Sequence, residues 1–284
     1  MQKWGGVIRA ETSNMIIVQI SDTHIAGWGK KTCDVAPTAE NLAICIDHIN
    51  QLEPPADVVL VTGDLTNEGS LEEAEHSAEL LTKLRCPYFI VPGNHDSRKV
   101  LWPVFDEKVC PRNPLGFIHF SVDDYDVRLI GLDSLDQGKP GGKISKKSTR
   151  WLDEKLAEDK EKPTVIFMHH PPVKCGVLET DIDGFRGAKR LAEVIKKYDN
   201  IERILCGHIH MQTHIRWHGT VITTAPSSTG MRIETDLSMK KESQFILEAP
   251  SYLLHYWTPD KNLVTHTISI QQTEHYLFEK NSPS

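Results

Sequence analysis

Five times in this chain a short apolar run of strand size ends on a polar string rich in Asp, His, Asn and Gly. Met15–Ile20 leads into Asp22-Thr23-His24, and Val58–Val61 into Gly63-Asp64. Tyr88–Val91 leads into Gly93-Asn94-His95-Asp96, Thr164–Met168 into His169-His170, and Ile201–Cys206 into Gly207-His208-Ile209-His210. Val58–Val61 is a continuous apolar run, as in a strand buried on both faces. Parallel strands bring their C-terminal ends to one edge of a sheet, where open α/β folds place their sites. The five strings can therefore converge, although they run from Asp22 to His210.

Helical signals lie between the runs. Pro37–Gln51 carries Leu42, Ile46 and Ile49 near one face, the spacing of an amphipathic helix. Ser70 with Glu73 three positions on matches a capping box and predicts a helix to about Leu84. Ser148–Lys160 and Ala188–Tyr198 are further helical stretches, and Gly116–Val122 with Val127–Leu132 predicts a hairpin around Asp124. Beyond Cys206 only strand signals follow. Thr213–Trp217 and Val221–Thr224 flank a His218-Gly219 turn, and Tyr252–Trp257 and Leu263–Ile268 flank Pro259–Asn262. The expectation is one α/β domain over residues 1–270 with a β-rich C-terminal third, then a polar tail over 271–284.

Composition narrows the classes. Hydrophobic residues make up 39% and charged residues 25% of the chain, a globular balance rather than a disordered one. A net charge of −7 gains little from counterion release on duplex nucleic acid, which argues against a long polyanionic partner. No apolar run is long enough to span a membrane. The opening MQKWGGVIRAETSN has no apolar signal-peptide core, so a cytoplasmic protein is expected. The six cysteines, Cys33, Cys45, Cys86, Cys110, Cys175 and Cys206, form no C-x-x-C pair, as for reduced structural thiols.

The polar strings combine carboxylate, imidazole and amide oxygen, donors that suit hard-to-borderline divalent metals without a thiolate. In Asp22-Thr23-His24 and His208-Ile209-His210, alternation along an extended segment would place both side chains on one side. Glycine before Asp64, Asn94 and His208 would let the backbone turn tightly. Each string alone is weak, since a lone His after a strand is more often a hydrogen-bonded structural residue. The ordered set, every member at a strand end, is specific.

That set, carried by ISDTH, VTGDL, VPGNHD, FMHHPP and CGHIH, resembles the calcineurin-like metallophosphoesterase superfamily. It is closest to its class III cyclic-nucleotide and glycerophosphodiester phosphodiesterases, from about Met15 to Ile268. The resemblance implies an αββα sandwich of two packed mixed sheets flanked by helices. It implies two divalent ions, Mn2+, Fe2+ or Zn2+. Asp22, His24 and His210 would hold one ion, Asn94, His169 and His208 the other, with Asp64 bridging. Pro171 selects His169 over His170 as the ligand. His95 would be the catalytic acid or a phosphate contact, and Asp96 would orient His95 or another histidine. Asn94, His95 and His210 would meet substrate.

Two divalent ions against Asp22 and Asp64 leave an excess of about two positive charges to attract a phosphate anion in spite of the overall acidity. Ions roughly 3.5–4 Å apart acidify a shared water for in-line attack on phosphorus. The expected reaction is hydrolysis of a small phosphodiester, a cyclic nucleotide or a glycerophosphodiester. A phosphomonoesterase or nucleotide pyrophosphatase on the same core is the alternative, and a non-catalytic metal-bearing scaffold is disfavoured by the complete ligand set. The choice depends on cap segments, with candidates at Gly27–Ala36, Lys174–Gly187 and Gly230–Glu248. Arg98, His214 and His218 are open between substrate contact and bland roles, and Lys139–Lys147 reads as a solvated loop before a helix. A homodimer or higher homo-oligomer is expected from the relatives.

Overall fold

The computed structural model describes residues 14–234 and 244–271. The expected polar tail lies outside them except for Gln271, as does part of the Gly230–Glu248 cap candidate.

Two sheets carry the chain. The first has the order β15 (Leu263–Ser269), β14 (Ser251–Trp257), β1 (Met15–Ile20), β2 (Val58–Val61), β3 (Tyr88–Ile90). In it β1, β2 and β3 run parallel, while β14 and β15 are antiparallel additions. The second has the order β10 (Thr213–Trp217), β11 (Thr220–Thr224), β9 (Ile201–Cys206), β7 (Thr164–Phe167), β5 (Arg128–Gly131), β4 (Phe120–Val122). Here β5, β7, β9 and β11 are parallel and the edge strands antiparallel.

Alternation of side chains along β5, β7 and β9 explains how the sheets pack. Leu129, Val165, Phe167 and Leu205 join the core shared with β1 and β2. Their neighbours Ile130, Ile166, Met168 and Ile204 face the other way and pack on α4 (Lys146–Glu158) and α6 (Ala188–Ile195) through Leu152, Leu156, Leu191 and Ile195. On the far side of the first sheet, α1 (Thr38–Ile49) and α2 (Leu71–Leu81) bury Leu42, Ile46, Leu80 and Leu81. The result is the expected αββα sandwich. The capping box on α2 is present in both halves: Ser70 accepts from the Glu73 amide and Glu73 Oε2 from the Ser70 amide at 3.1 Å.

Smaller elements had no sequence signal. They are α3 (Arg98–Val104), α5 (Leu178–Asp181), the paired β6 (Gly142–Lys143) and β8 (Phe185–Arg186), and the paired β12 (Met231–Ile233) and β13 (Phe245–Leu247). The lysine-rich stretch is accordingly not a free loop. Gly142 and Lys143 are zipped to the cap segment, and the Pro140 carbonyl lies 3.1 Å from His170 Nε2.

Candidate metal centre

The five strings meet, but at the ends of two sheets rather than one. Those after β1, β2 and β3 come from the first sheet, and those after β7 and β9 from the second. Register brings them side by side, since Ile20 pairs with Val61 and Phe167 with Leu205. The loops then bond directly. The amides of Asp22 and His24 donate to the carbonyls of Gly63 and Asp64 at 3.0 and 2.9 Å, and Gly207 to His169 at 2.9 Å. Ser227 Oγ donates to the Asp22 carbonyl at 2.8 Å.

The D-x-H and H-x-H strings are not extended, which corrects the expectation from alternation. Asp22, His24, Asp64, His208 and His210 all have positive φ, at 52°, 44°, 52°, 74° and 53°. Left-handed backbone at a non-glycine residue persists only where surrounding contacts impose it, and it clusters at functional sites. Here the loop-to-loop hydrogen bonds impose it. Gly63 has φ 95°, and a Cβ there would collide with the His169 ring. Gly93 is required for closeness instead, because a Cβ would run into the Asp64 carboxylate.

Two donor groups result. In the first, Asp22, His24, Asp64 and His210 are buried and their ligand atoms lie within 4.8 Å of one another. His24 Nε2 is 3.1 Å from His210 Nε2 and 3.6 Å from Asp64 Oδ2, and His210 Nε2 is 3.6 Å from Asp22 Oδ1. In the second, Asn94 Oδ1 lies 3.1 Å from His169 Nε2 and 3.0 Å from His208 Nδ1. Asp64 Oδ2 reaches this group too, 3.3 Å from His169 Nε2. The structure thus brings together all seven residues expected as ligands.

The rings are oriented from behind. His169 Nδ1 donates to the Thr62 carbonyl at 2.7 Å and His210 Nδ1 to the Met231 carbonyl at 2.6 Å. A carbonyl only accepts, so in both rings Nε2 is the atom turned toward the other donors. Acceptors thus face acceptors, an arrangement that a cation reconciles. Burial would lower the His169 pKa, but Asp64, which also hydrogen-bonds it, and Asp22 raise it to about 9. Burial would raise Asp64, yet His169 and His24 hold its carboxyl well below the usual range. Burial pushes His208 down to about 3 and His24 well below the ordinary imidazole value. This donor set fits divalent ions.

His170 lies close enough to His169 and His208 for one ring nitrogen of each to meet an ion, but its nitrogens have other partners. Its Nε2 faces the Pro140 carbonyl, and its Nδ1 lies 2.9 Å from Ser134 Oγ. Both nitrogens are thus engaged by the protein's own groups.

His95 is exposed, with Nδ1 donating to the Asn67 carbonyl at 2.5 Å and its amide to Asp64 Oδ1 at 2.8 Å. The Asn67 carbonyl therefore orients His95, not Asp96. Asp96 is buried and accepts from the amides of Gly93, Leu65 and Thr66 at 2.8, 3.2 and 3.0 Å, and from Thr66 Oγ1 at 2.7 Å. It ties the loops after β2 and β3 together. Burial and the nearby Asp64 raise it to about 6.

Arg98 is spent on Asp133, with Nε to Oδ2 at 2.5 Å and Nη2 to Oδ1 at 2.7 Å, so it is an ion-pair residue rather than a phosphate contact. His214 is bonded to Thr223 on the outer strands, and His218 stacks edge-on against Trp217. Neither joins the donor groups. Sequence reasoning missed Ser134, which supports His170. The signal was there, because Asp133-Ser134 follows apolar β5 as the other strings follow their strands. The orienting carbonyls of Thr62, Asn67 and Met231 carry no side-chain signal.

A cavity of about 170 Å3 adjoins the centre. His170, His208 and Ile209 bound it on one side, and Lys174, Thr180, Asp181 and Phe185 on the other. Of the three cap candidates, Lys174–Gly187 lines this cavity, while Met231 of Gly230–Glu248 meets His210 from behind and Thr32 of Gly27–Ala36 donates to the His24 carbonyl at 2.6 Å. In Gly27–Ala36, Trp28 stacks on His76 at 5.3 Å.

Similarity to known proteins agrees with this geometry. The chain is 36% identical over 263 residues to a protein of Arcobacter nitrofigilis named as a probable glycerophosphodiester phosphodiesterase, covering 92% of this chain and 95% of that one. It is 30% identical over 213 residues to the 3',5'-cyclic adenosine monophosphate phosphodiesterase of Escherichia coli strain K12, covering 75% of each. Among solved structures, a dimetal phosphatase from Danio rerio shares the fold with a TM-score of 0.63 at 14% identity, covering 90% of this chain and 98% of that one. The family described as calcineurin-like phosphoesterase matches residues 15–212. The chain belongs to the calcineurin-like phosphoesterase family, and it is a hydrolase of that family.

Proposed function

We propose that this hydrolase is a two-metal phosphodiesterase of small diesters, glycerophosphodiesters foremost. The observation that carries the proposal is Asp64, whose Oδ2 lies 3.6 Å from His24 Nε2 in one donor group and 3.3 Å from His169 Nε2 in the other. Asp22, His24 and His210 would hold one ion, Asn94, His169 and His208 the second, and Asp64 both. Nitrogen and oxygen donors suit Mn2+, Fe2+ or Zn2+. When bound, the pair supplies Lewis acidity toward the phosphoryl group and a nucleophile at neutral pH.

The protein's own groups do the rest. His95 stands at the open edge with Nδ1 committed to Asn67, so Nε2 is free to hand a proton to the departing oxygen or to bind the phosphoryl group. Asn94, His95 and His210 surround the place that group would take. Asp96 is a positioning residue, since its four accepted bonds fix the loop that carries Asn94 and His95.

The cavity beside His208 bears on substrate. At about 170 Å3 it falls below the roughly 300 Å3 at which small-molecule sites begin, so it suits a glycerol-sized alcohol better than a nucleoside. The Arcobacter relative supports the same choice. The Escherichia relative favours a second reading, cyclic-nucleotide hydrolysis, in which the nucleoside would project out of the cavity. All six cysteines are free, in keeping with a reducing cytoplasm, and no helix among the described residues is long and apolar enough to cross a membrane. A homodimer or higher homo-oligomer rests on the resemblance alone.

The test is a substrate panel on protein loaded with a defined metal. It compares a glycerophosphodiester, 3',5'- and 2',3'-cyclic nucleotides, an aryl diester and its monoester. The highest kcat/KM is expected for the glycerophosphodiester. A monoester turned over far faster than every diester overturns the proposal, and a preference for 3',5'-cyclic nucleotide replaces it with the second reading.

A further inference from the structure

A groove of about 490 Å3 lies away from the donor groups and shares no residue with them. Asn113, Pro114 and Leu115 line one side, and Lys147, Arg150, Trp151 and Glu154 of α4 the other. The α4 residues occupy positions i, i+3, i+4 and i+7, so they form one face of the helix. Lys147 and Arg150 are exposed, and neither has an ion-pair partner among the described residues. The volume lies within the roughly 300–1,000 Å3 of small-molecule sites.

Trp151 ends a column of stacked groups. The Arg98 guanidinium sits 5.3 Å from the Phe117 ring centre. Phe117 stacks on His119 at 4.9 Å and 22°, and His119 on Trp151 at 5.1 Å and 19°. His119 is buried, and burial pushes it down to about 4, so the middle rung is neutral. Its Nδ1 accepts from the Asp133 amide at 3.0 Å. One face of the half-buried indole is therefore covered, and the side chain lines the groove beyond it. A flat aromatic ring entering there would form the next rung, as nucleobases stack on aromatic side chains.

We propose that this groove is a second ligand site, for a nucleoside monophosphate, with its base on Trp151 and its phosphate between Lys147 and Arg150. Glu154 supplies an acceptor for the amino or hydroxyl protons of the same ligand. The two cations provide charge for a phosphate that the net −7 of the chain does not. Phosphate alone would lack the stack, and a nucleoside alone would lack the charge.

The test is photolabelling of the metal-loaded enzyme with 8-azido-AMP, the adducts being mapped by peptide mass spectrometry. Adducts are expected within residues 113–115 or 147–154. AMP should protect them at concentrations at least tenfold below those needed with adenosine or inorganic phosphate. The double variant Lys147→Glu/Arg150→Glu should lower this labelling at least tenfold, and its phosphodiesterase activity should be unchanged, which reports that it folds. Trp151→Leu should weaken AMP protection similarly. Labelling confined to residues around the metal donors, labelling that the double variant leaves intact, or protection by inorganic phosphate equal to that by AMP overturns the proposal.

Discussion

The donor cradle and the cap beside it are held in different ways. In the cradle, His169 and His210 are each fixed through Nδ1 by a carbonyl, five donor residues sit at positive φ, and the loops bond to one another. The cap segment is a strap tied at its ends. Phe185 and Arg186 pair with Gly142 and Lys143, Asp136 receives both Arg186 and Lys143, and Asp181 accepts from the amides of Cys175 and Gly176 at 2.7 and 3.0 Å. Between the ties, Ile182 is 78% exposed. On the proposed function, the rigid cradle would set the chemistry and the loosely tied cap the alcohol that leaves. Loss of a cradle group should therefore lower kcat, and loss of a cap group should raise KM.

The largest effect is expected for Asp64→Ala, which removes the one carboxylate common to both donor groups. Activity should fall more than about 10^3-fold, beyond the scale of one lost electrostatic contact, and metal content should fall with it. Elemental analysis beside kinetics checks both. Retention of both ions would break the comparison at its centre.

His95→Ala should come next, with a loss of about 10^2–10^4-fold in kcat, the range of general acid–base catalysis. Both ions should stay. The loss should be greatest for alkyl leaving groups and least for nitrophenolate. An equal loss across leaving groups would leave His95 with phosphate binding alone. Lys174→Ala, in the cap, should raise KM by up to about tenfold, the scale of 1.4 kcal/mol, with kcat unaltered. A fall in kcat there would mean that the cap is part of the cradle.

The comparison also shows what a sequence makes legible. Asp22, His24, Asp64, Asn94, His169, His208 and His210 stand out because each joins an oxygen or imidazole donor to a strand end. The αββα sandwich is implied by the family resemblance alone, since the residues by themselves predict only an α/β domain and β9 carries Glu202 and Arg203 among its apolar residues. The left-handed backbone at the donors is not legible, because it is imposed by partners far away in the chain. The contacts of Asp96 were hidden for the same kind of reason, since three of its four partners are backbone amides with no residue identity. The helix α3 was missed because it has only 7 residues and contains Pro103, which works against a helical assignment. The strand pair that ties the cap segment Lys174–Gly187 escaped notice because β6 and β8 have two residues each, too few for a period.

A last prediction concerns the stability of the sheets rather than the activity of the site. Burial, with Arg203 and His214 adding to it, pushes His255 from 6.5 down to about 3. Below pH 6.5 the unfolded chain takes up a proton that the folded chain refuses. Stability should therefore fall as pH drops from 6.5 toward 3, by at most about 1.4 kcal/mol per pH unit for this residue. His255→Gln should flatten that slope in urea titrations, and an unchanged slope would assign it to other groups.

The central claim is that one carboxylate and six further donors form a site for two ions. Metal analysis of the purified enzyme, followed by chelation and stepwise metal return, tests it most directly. The account predicts two ions per chain at full activity, no glycerophosphodiester hydrolysis after chelation, and recovery only as the second equivalent returns. Full activity with one ion or none would contradict it.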